Sequence, residues 1–209
     1  MAATPRTSSL TAPDAQPMGL RERKKLKTRV AIRTATYRLI QEQGYEATTI
    51  EQIAEAAEVS PSTVLRYFAT KEDIVLTDAY DPLMVTALRS RPLDEPPLES
   101  LRLMMREALT SFVTAEEEEL RRRTRLMVEI PAIRARMTET MSDTAKLLSQ
   151  VLADRTGRSA DDLRIRIFTA AVLGALREVT LYWGEHGQEG DLITMIDEAL
   201  DTLETGLRL

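Results

Sequence analysis

The chain has 209 residues, 43% of them hydrophobic and 29% charged, with no cysteine and a net charge of −5. That leaves room for one small and one medium packed domain, excludes disulfide and thiolate chemistry, and fits a reducing cytoplasm. Residues 1–71 hold 11 Lys/Arg against 7 Asp/Glu, and the remainder hold 17 against 26, so a basic front (+4) precedes an acidic back (−9).

Residues 1–18 are rich in Ala, Thr, Ser and Pro, without a charged or an apolar signal region. They read as a disordered tail. From there almost everything carries helical spacing, and the fold class is all-α with about nine helices. The first helix runs from about Leu20 to Gln43 and stops at Gly44. Leu26, Val30, Ile32, Ala35, Leu39 and Ile40 form its apolar face. Its first turns carry Arg21, Arg23, Lys24, Lys25, Lys27 and Arg29, either a solvated face or an arm for phosphates and the minor groove.

Thr48-Thr49-Ile50-Glu51 fits a capping box, which starts a second helix with Ile50, Ile53, Ala54 and Ala57 inward. Ser60 as cap and Pro61 at the first helical position start a third, ending near Phe68. Thr70 and Asp73 start a fourth, which Pro82 must kink or end. Two short helices joined by a tight turn, behind a basic helix, make a helix-turn-helix over residues 19–71. Such a unit places its second helix in the major groove of double-stranded DNA.

The helix-turn-helix should read bases through Pro61, Ser62, Thr63, Leu65 and Arg66 on its second helix. Only Arg66 can bind guanine in bidentate fashion, and a phosphate or solvent role is the alternative. Val64 and Phe68 should face the core. Thr48, at a helix N-terminus, is placed to meet a phosphate.

Arg91 to Pro97 holds three prolines and reads as a linker. Five further helices follow. Their faces are marked by Leu98–Phe112, by Ala115–Ile130, by Ile133–Leu152, by a long apolar stretch capped by Ser159 and ending near Trp183, and by Leu192–Leu207. Glu117, Glu118 and Glu119 precede Arg121, Arg122 and Arg123 by four residues, the orientation of a self-stabilised solvated helix. Arg177 and Glu178 are interface charges, an ion pair or ligand anchors. No apolar run is long enough to cross a membrane; the longest, about Phe168 to Leu176, stops at Arg177.

Thr48-Thr49-Ile50, Ile53-Ala54, Ala57, Val59-Ser60, Thr63, Tyr67-Phe68 and Lys71 resemble the DNA-binding domain of the tetracycline-repressor (TetR) family over residues 21–80. The resemblance implies backbone contacts from Thr48, Tyr67 and Lys71. It implies that residues 72–209 form a ligand-binding and dimerisation domain, with the last two helices, including Gly174, at the interface of a homodimer. It points to a ligand-responsive transcriptional regulator, a repressor, that binds a palindromic operator and is released by a small, mostly apolar effector. Two residues depart from the pattern: Glu58 where a turn glycine is usual, implying a tighter or shifted turn, and Leu65 where an aromatic is usual.

Seven methionines lie between Met84 and Met195. Met104, Met105, Met127, Met137 and Met141, with Phe112, Phe168, Tyr182, Trp183 and Arg177, are candidates to line the effector pocket. Plain core packing is the other reading of each. His186 is the only histidine, so with no cysteine neither a zinc site nor a histidine-based triad is expected. No cofactor is implied. The rival from another class is an all-helical binding protein or enzyme with a degenerate DNA module.

Overall fold

A computed structural model describes residues 19–77, 81–110 and 114–207. Those residues form ten helices and no strand. The head comprises α1 (Leu20–Gln43), α2 (Ile50–Ala56), α3 (Pro61–Tyr67) and α4 (Lys71–Leu76). The body comprises α5 (Asp81–Ser90), α6 (Pro97–Thr110), α7 (Thr114–Glu129), α8 (Pro131–Thr156), α9 (Leu163–Glu185) and α10 (Leu192–Glu204).

The tenth helix comes from the fourth predicted one. Thr77 takes an extended conformation after Leu76, and a separate helix starts at Asp81 with Pro82 in its first turn. Proline is tolerated there because that amide has no helical acceptor to lose.

Three local expectations shift by a residue or more. The capping box of α2 belongs to Thr49 and Gln52. Helix α9 is capped by Asp162, while Ser159 accepts from the Asp161 amide in the preceding turn. Leu26 and Val30 are exposed, 36% and 45%, because packing against α1 begins only near Arg29, whose guanidinium lies 5.3 Å from the Phe68 ring centre.

Three apolar clusters organise the chain. Ile32, Ile53, Ala54, Val64, Phe68 and Ile74 fill the head. Leu88, Leu101, Met104, Val151, Val172, Ile196 and Leu200 fill the body. The third joins the two: Tyr37 of α1 and Val75 of α4 pack with Leu126, Met127 and Ile133 of α7 and α8. Helix α4 therefore serves both units, with Ile74 turned to the head and Val75 to the body.

Candidate nucleic-acid interface and effector domain

The turn between α2 and α3 closes with the Val59 amide donating to the Ala54 carbonyl and the Glu58 amide to the Glu55 carbonyl, 2.9 and 3.1 Å. This paired closure demands a left-handed residue at its centre. Glu58 supplies it with φ 55°. The turn has therefore kept the geometry that glycine usually serves, and Glu58 carries the strain; it is neither tightened nor shifted.

Helix α3 starts as expected. Ser60 Oγ accepts from the Thr63 amide at 3.1 Å, and lies 2.9 Å from the hydroxyls of both Ser62 and Thr63. Val64 and Phe68 are buried in the head core, which turns the opposite face outward. Pro61, Ser62, Leu65 and Arg66 are exposed, and Thr63 and Tyr67 half-buried. The Arg66 guanidinium rests 5.5 Å from the Tyr67 ring centre. Lys24 and Lys25 are exposed on the first turns of α1.

Thr48 is buried and Lys71 half-buried, and the polar end of each is engaged within the head. Thr48 is 1% exposed, and its hydroxyl donates to the Gly44 carbonyl at 2.8 Å. Lys71 Nζ donates to the carbonyls of Tyr45 and Thr48 at 2.6 and 2.8 Å. Both side chains are engaged in closing the α1–α2 loop, where the Tyr45 carbonyl also accepts from the Thr48 amide at 3.2 Å. The Tyr45 hydroxyl donates to Glu72. Burial, and then the Glu72 carboxylate, push the Tyr45 phenol above its ordinary range. Burial opposes ionisation of Glu72, but hydrogen bonds, from Tyr45 first, and the nearby Lys71 charge hold its carboxyl below the usual value.

The candidate pocket residues do not converge. Met104, Met105 and Phe168 belong to the body cluster, Met127 and Met137 to the cluster joining head and body. Met141 is half-buried on α8. Phe112 lies outside the described residues. Arg177 sits 3.9 Å from Glu178, as an ion pair of neighbours. Trp183 is buried beneath the Arg121 guanidinium, 5.2 Å from the ring centre. A cleft of about 340 Å³ lies elsewhere, lined by Arg125, Val128, Glu129, Gly184, Glu185, Gly187 and Gln188. Gly184 permits the close approach of α7 and α9: a Cβ there would lie 2.6 Å from Val128 Cγ2.

Sequence reasoning missed the contacts that fasten head to body. Arg33, 4% exposed, pairs with Glu119 of α7 at 2.7 Å and donates to the Thr77 carbonyl at 2.6 Å. Arg136 of α8 grips Asp73 of α4 with two hydrogen bonds, 2.8 and 3.1 Å. Glu119 thus leaves the solvated ladder expected of it, while Arg121 keeps its Glu117 partner at 3.1 Å. An arginine directly after Ile32 on an inward helix face was the available signal.

Among the described residues no helix is long and apolar enough to cross a membrane, and no group of three or more potential ligands could hold a metal ion. Across α9, Leu163, Ile167 and Tyr182 are 68%, 59% and 50% exposed, and Gly174 has open space at its Cβ position. These positions follow one side of the helix, as a dimer face requires.

Two family descriptions match. Bacterial regulatory proteins of the tetR family match residues 32–77, and the MftR C-terminal domain matches residues 95–208. The HTH-type transcriptional regulator TcmR of Streptomyces glaucescens is 35% identical over 173 residues, 79% of this chain and 76% of that protein. The fatty acid degradation regulator FadR of Bacillus halodurans superposes with a TM-score of 0.55 at 26% identity, covering 87% of this chain and 96% of that one. Thermus thermophilus FadR, a repressor solved in complex with lauroyl-CoA, superposes at 0.51 with 22% identity, covering 87% and 95%. The relatives are regulators and not enzymes, which sets aside the rival reading. The chain belongs to the TetR family of bacterial transcriptional regulators: DNA-binding dimers with a helix-turn-helix head and an effector-binding body.

Proposed function

We propose that this chain is a repressor, acting in the cytoplasm, that holds a palindromic operator as a homodimer and leaves it when a small, mostly apolar effector enters the body. The observation that carries the reading is the outward face of α3, where Pro61, Ser62, Leu65 and Arg66 stand clear beside a buried Val64. Arg66 reads a guanine, and Leu65 makes an apolar contact that donates no hydrogen bond. Thr63 and Tyr67 support this face, and Lys24 and Lys25 add phosphate contacts whose strength falls with salt. Thr48 and Lys71 act on DNA indirectly, by shaping the loop that carries α2.

Met104, Met105 and Phe168 support an apolar effector, since a thioether-rich cluster among helices repacks around varied shapes. Trp183 lies outside that cluster, under Arg121, and its indole N–H, which meets no acceptor among the described residues, is a separate donor for an effector. Met127, Met137 and Met141 lie on the path from that cluster to the head. Arg177 is an ion-pairing residue near the dimer face.

Selection of bound fragments from random DNA tests the reading. Inverted repeats should emerge with centres about 34–36 Å apart, or a multiple of that spacing. Repeating the selection with lauroyl-CoA and a panel of apolar drugs should release the DNA for at least one compound. Recovery of single, unpaired sites would overturn the dimeric operator. Retention with every compound would overturn the apolar effector.

A further inference from the structure

We propose that Arg136 and Arg33 are positioning residues for operator selection: they fix the angle of α4 and thereby set which half-site spacing the dimer accepts, without touching DNA. The inference rests on the dimeric operator reading and goes beyond it.

Helix α4 has six residues and is held near both ends by guanidinium groups. Near its start, Asp73 closes the capping box by accepting from the Thr70 amide at 3.1 Å. The same carboxylate receives Arg136 Nε and Nη2 from α8 of the body. Its side chain is 9% exposed and that of Arg136 31%. Just past its end, the Thr77 carbonyl receives Nη2 of Arg33, itself a head residue on α1, whose Nη1 carries the attachment on to Glu119 of α7 in the body. Between the two clamps, fully buried Val75 sits in the apolar cluster shared with α7 and α8.

A two-point attachment defines a direction, whereas one would define only a position. A bidentate guanidinium–carboxylate pair adds angular selectivity because the fork and the carboxylate must share a plane. Recognition helix α3 is fixed to α4 through the head core, where Val64, Phe68 and Ile74 pack together. The direction of α4 on the body is therefore the direction of α3 on the dimer. Adding one base pair between half-sites moves them about 3.4 Å along the axis and also rotates one about it. A rigid pair of heads cannot follow that change; loosened heads can.

The test uses the full chain and the half-site recovered by wild type from random DNA. Duplexes carry two inverted half-sites with spacers stepped by one base pair through a helical turn, and one further duplex carries a single half-site. Wild type, Arg136→Gln, Arg136→Lys and the control Glu139→Gln are compared. Glu139 holds only the outer Nη1 of Arg136, at 2.9 Å, and leaves the Asp73 grip intact.

Arg136→Gln should cut the ratio of best to next-best spacing by about fivefold or more, the low end of coupling between distant sites. Its affinity for the single half-site should stay unchanged. Arg136→Lys, which keeps the charge and loses the fork, should fall between, and Glu139→Gln should match wild type. An unchanged spacing profile in Arg136→Gln, or an equal loss on every duplex, overturns the proposal. If melting shows that Arg136→Gln is unfolded, Arg136→Lys carries the same criterion. A wild type with no preferred spacing overturns the dimeric operator itself, and is told apart from failure of the clamp because it appears before any substitution.

Discussion

The ammonium of Lys71 lies 3.8 Å from the centre of the Tyr45 ring while donating to the carbonyls of Tyr45 and Thr48. One side chain thus ties the first turn of α4 to the loop between α1 and α2. Lys71→Met keeps the apolar stem and removes the donors. It should lower stability by about 1–3 kcal/mol, the contribution of hydrogen bonds from a charged donor to part-buried carbonyls. The salt dependence of operator binding should change by less than about half a unit per head, where a lost phosphate contact would remove about 0.9. Denaturant melts and a salt titration measure the two effects. A full loss of slope with unchanged stability would return Lys71 to the phosphate backbone.

Glu58 pays a left-handed penalty that glycine avoids. Glu58→Gly should raise stability by about 0.5–1 kcal/mol, the penalty of about 1–2 less the extra chain entropy of glycine. The denaturation midpoint should rise with an unchanged slope. A fall would show that the Glu58 side chain makes a compensating contact.

Arg66→Ala should cost about 1–3 kcal/mol at one operator position and little on unrelated DNA. Competition binding with every single-base operator variant resolves the position. Equal losses on specific and random DNA would leave Arg66 a phosphate or surface residue.

Ile167→Glu places a charge in the exposed apolar row of α9. Sedimentation should show a shift towards monomer at micromolar concentration, because an interface leaves an unpaired buried charge uncompensated. A persistent dimer with wild-type affinity would move the interface off this face.

Gly184→Ala should destabilise the body by about 1–3 kcal/mol through overpacking, since Val128 and Thr124 lie at 2.6 and 2.9 Å from the added carbon. Thermal unfolding measures this, and a neutral result would mean that α7 and α9 separate freely.

The head was the most legible part of the chain because its signals are local. Caps at Ser60 and Thr70, the proline at 61 and the inward Val64 and Phe68 each act within a few residues. One failure there shows the limit of local signals: adjacent threonines, 48 and 49, offered the same hydroxyl, and only packing decided which one capped α2. The body was legible as helices but not as a pocket. Helical spacing marks which residues face inward without saying which inward residues meet. Met104 and Met127 look alike in the sequence and lie in different clusters. The clamps on α4 were hidden because each joins residues far apart, Arg33 with Glu119 and Asp73 with Arg136. Charged residues also resemble a solvated surface until a partner is known.

The division of α4 between head and body bears on how the chain folds. A helix of six residues is far below the length that stands alone in water. Its capping carboxylate, the carbonyl just past its end and Val75 are held from α8, α1 and the shared cluster. Cutting the chain after residue 77 would leave Asp73 without Arg136, Arg33 without Glu119, and Val75 facing water. The head should therefore fail to fold autonomously, despite its own core. Heat or denaturant should melt both parts in a single transition, and a protease should find no stable head fragment to release.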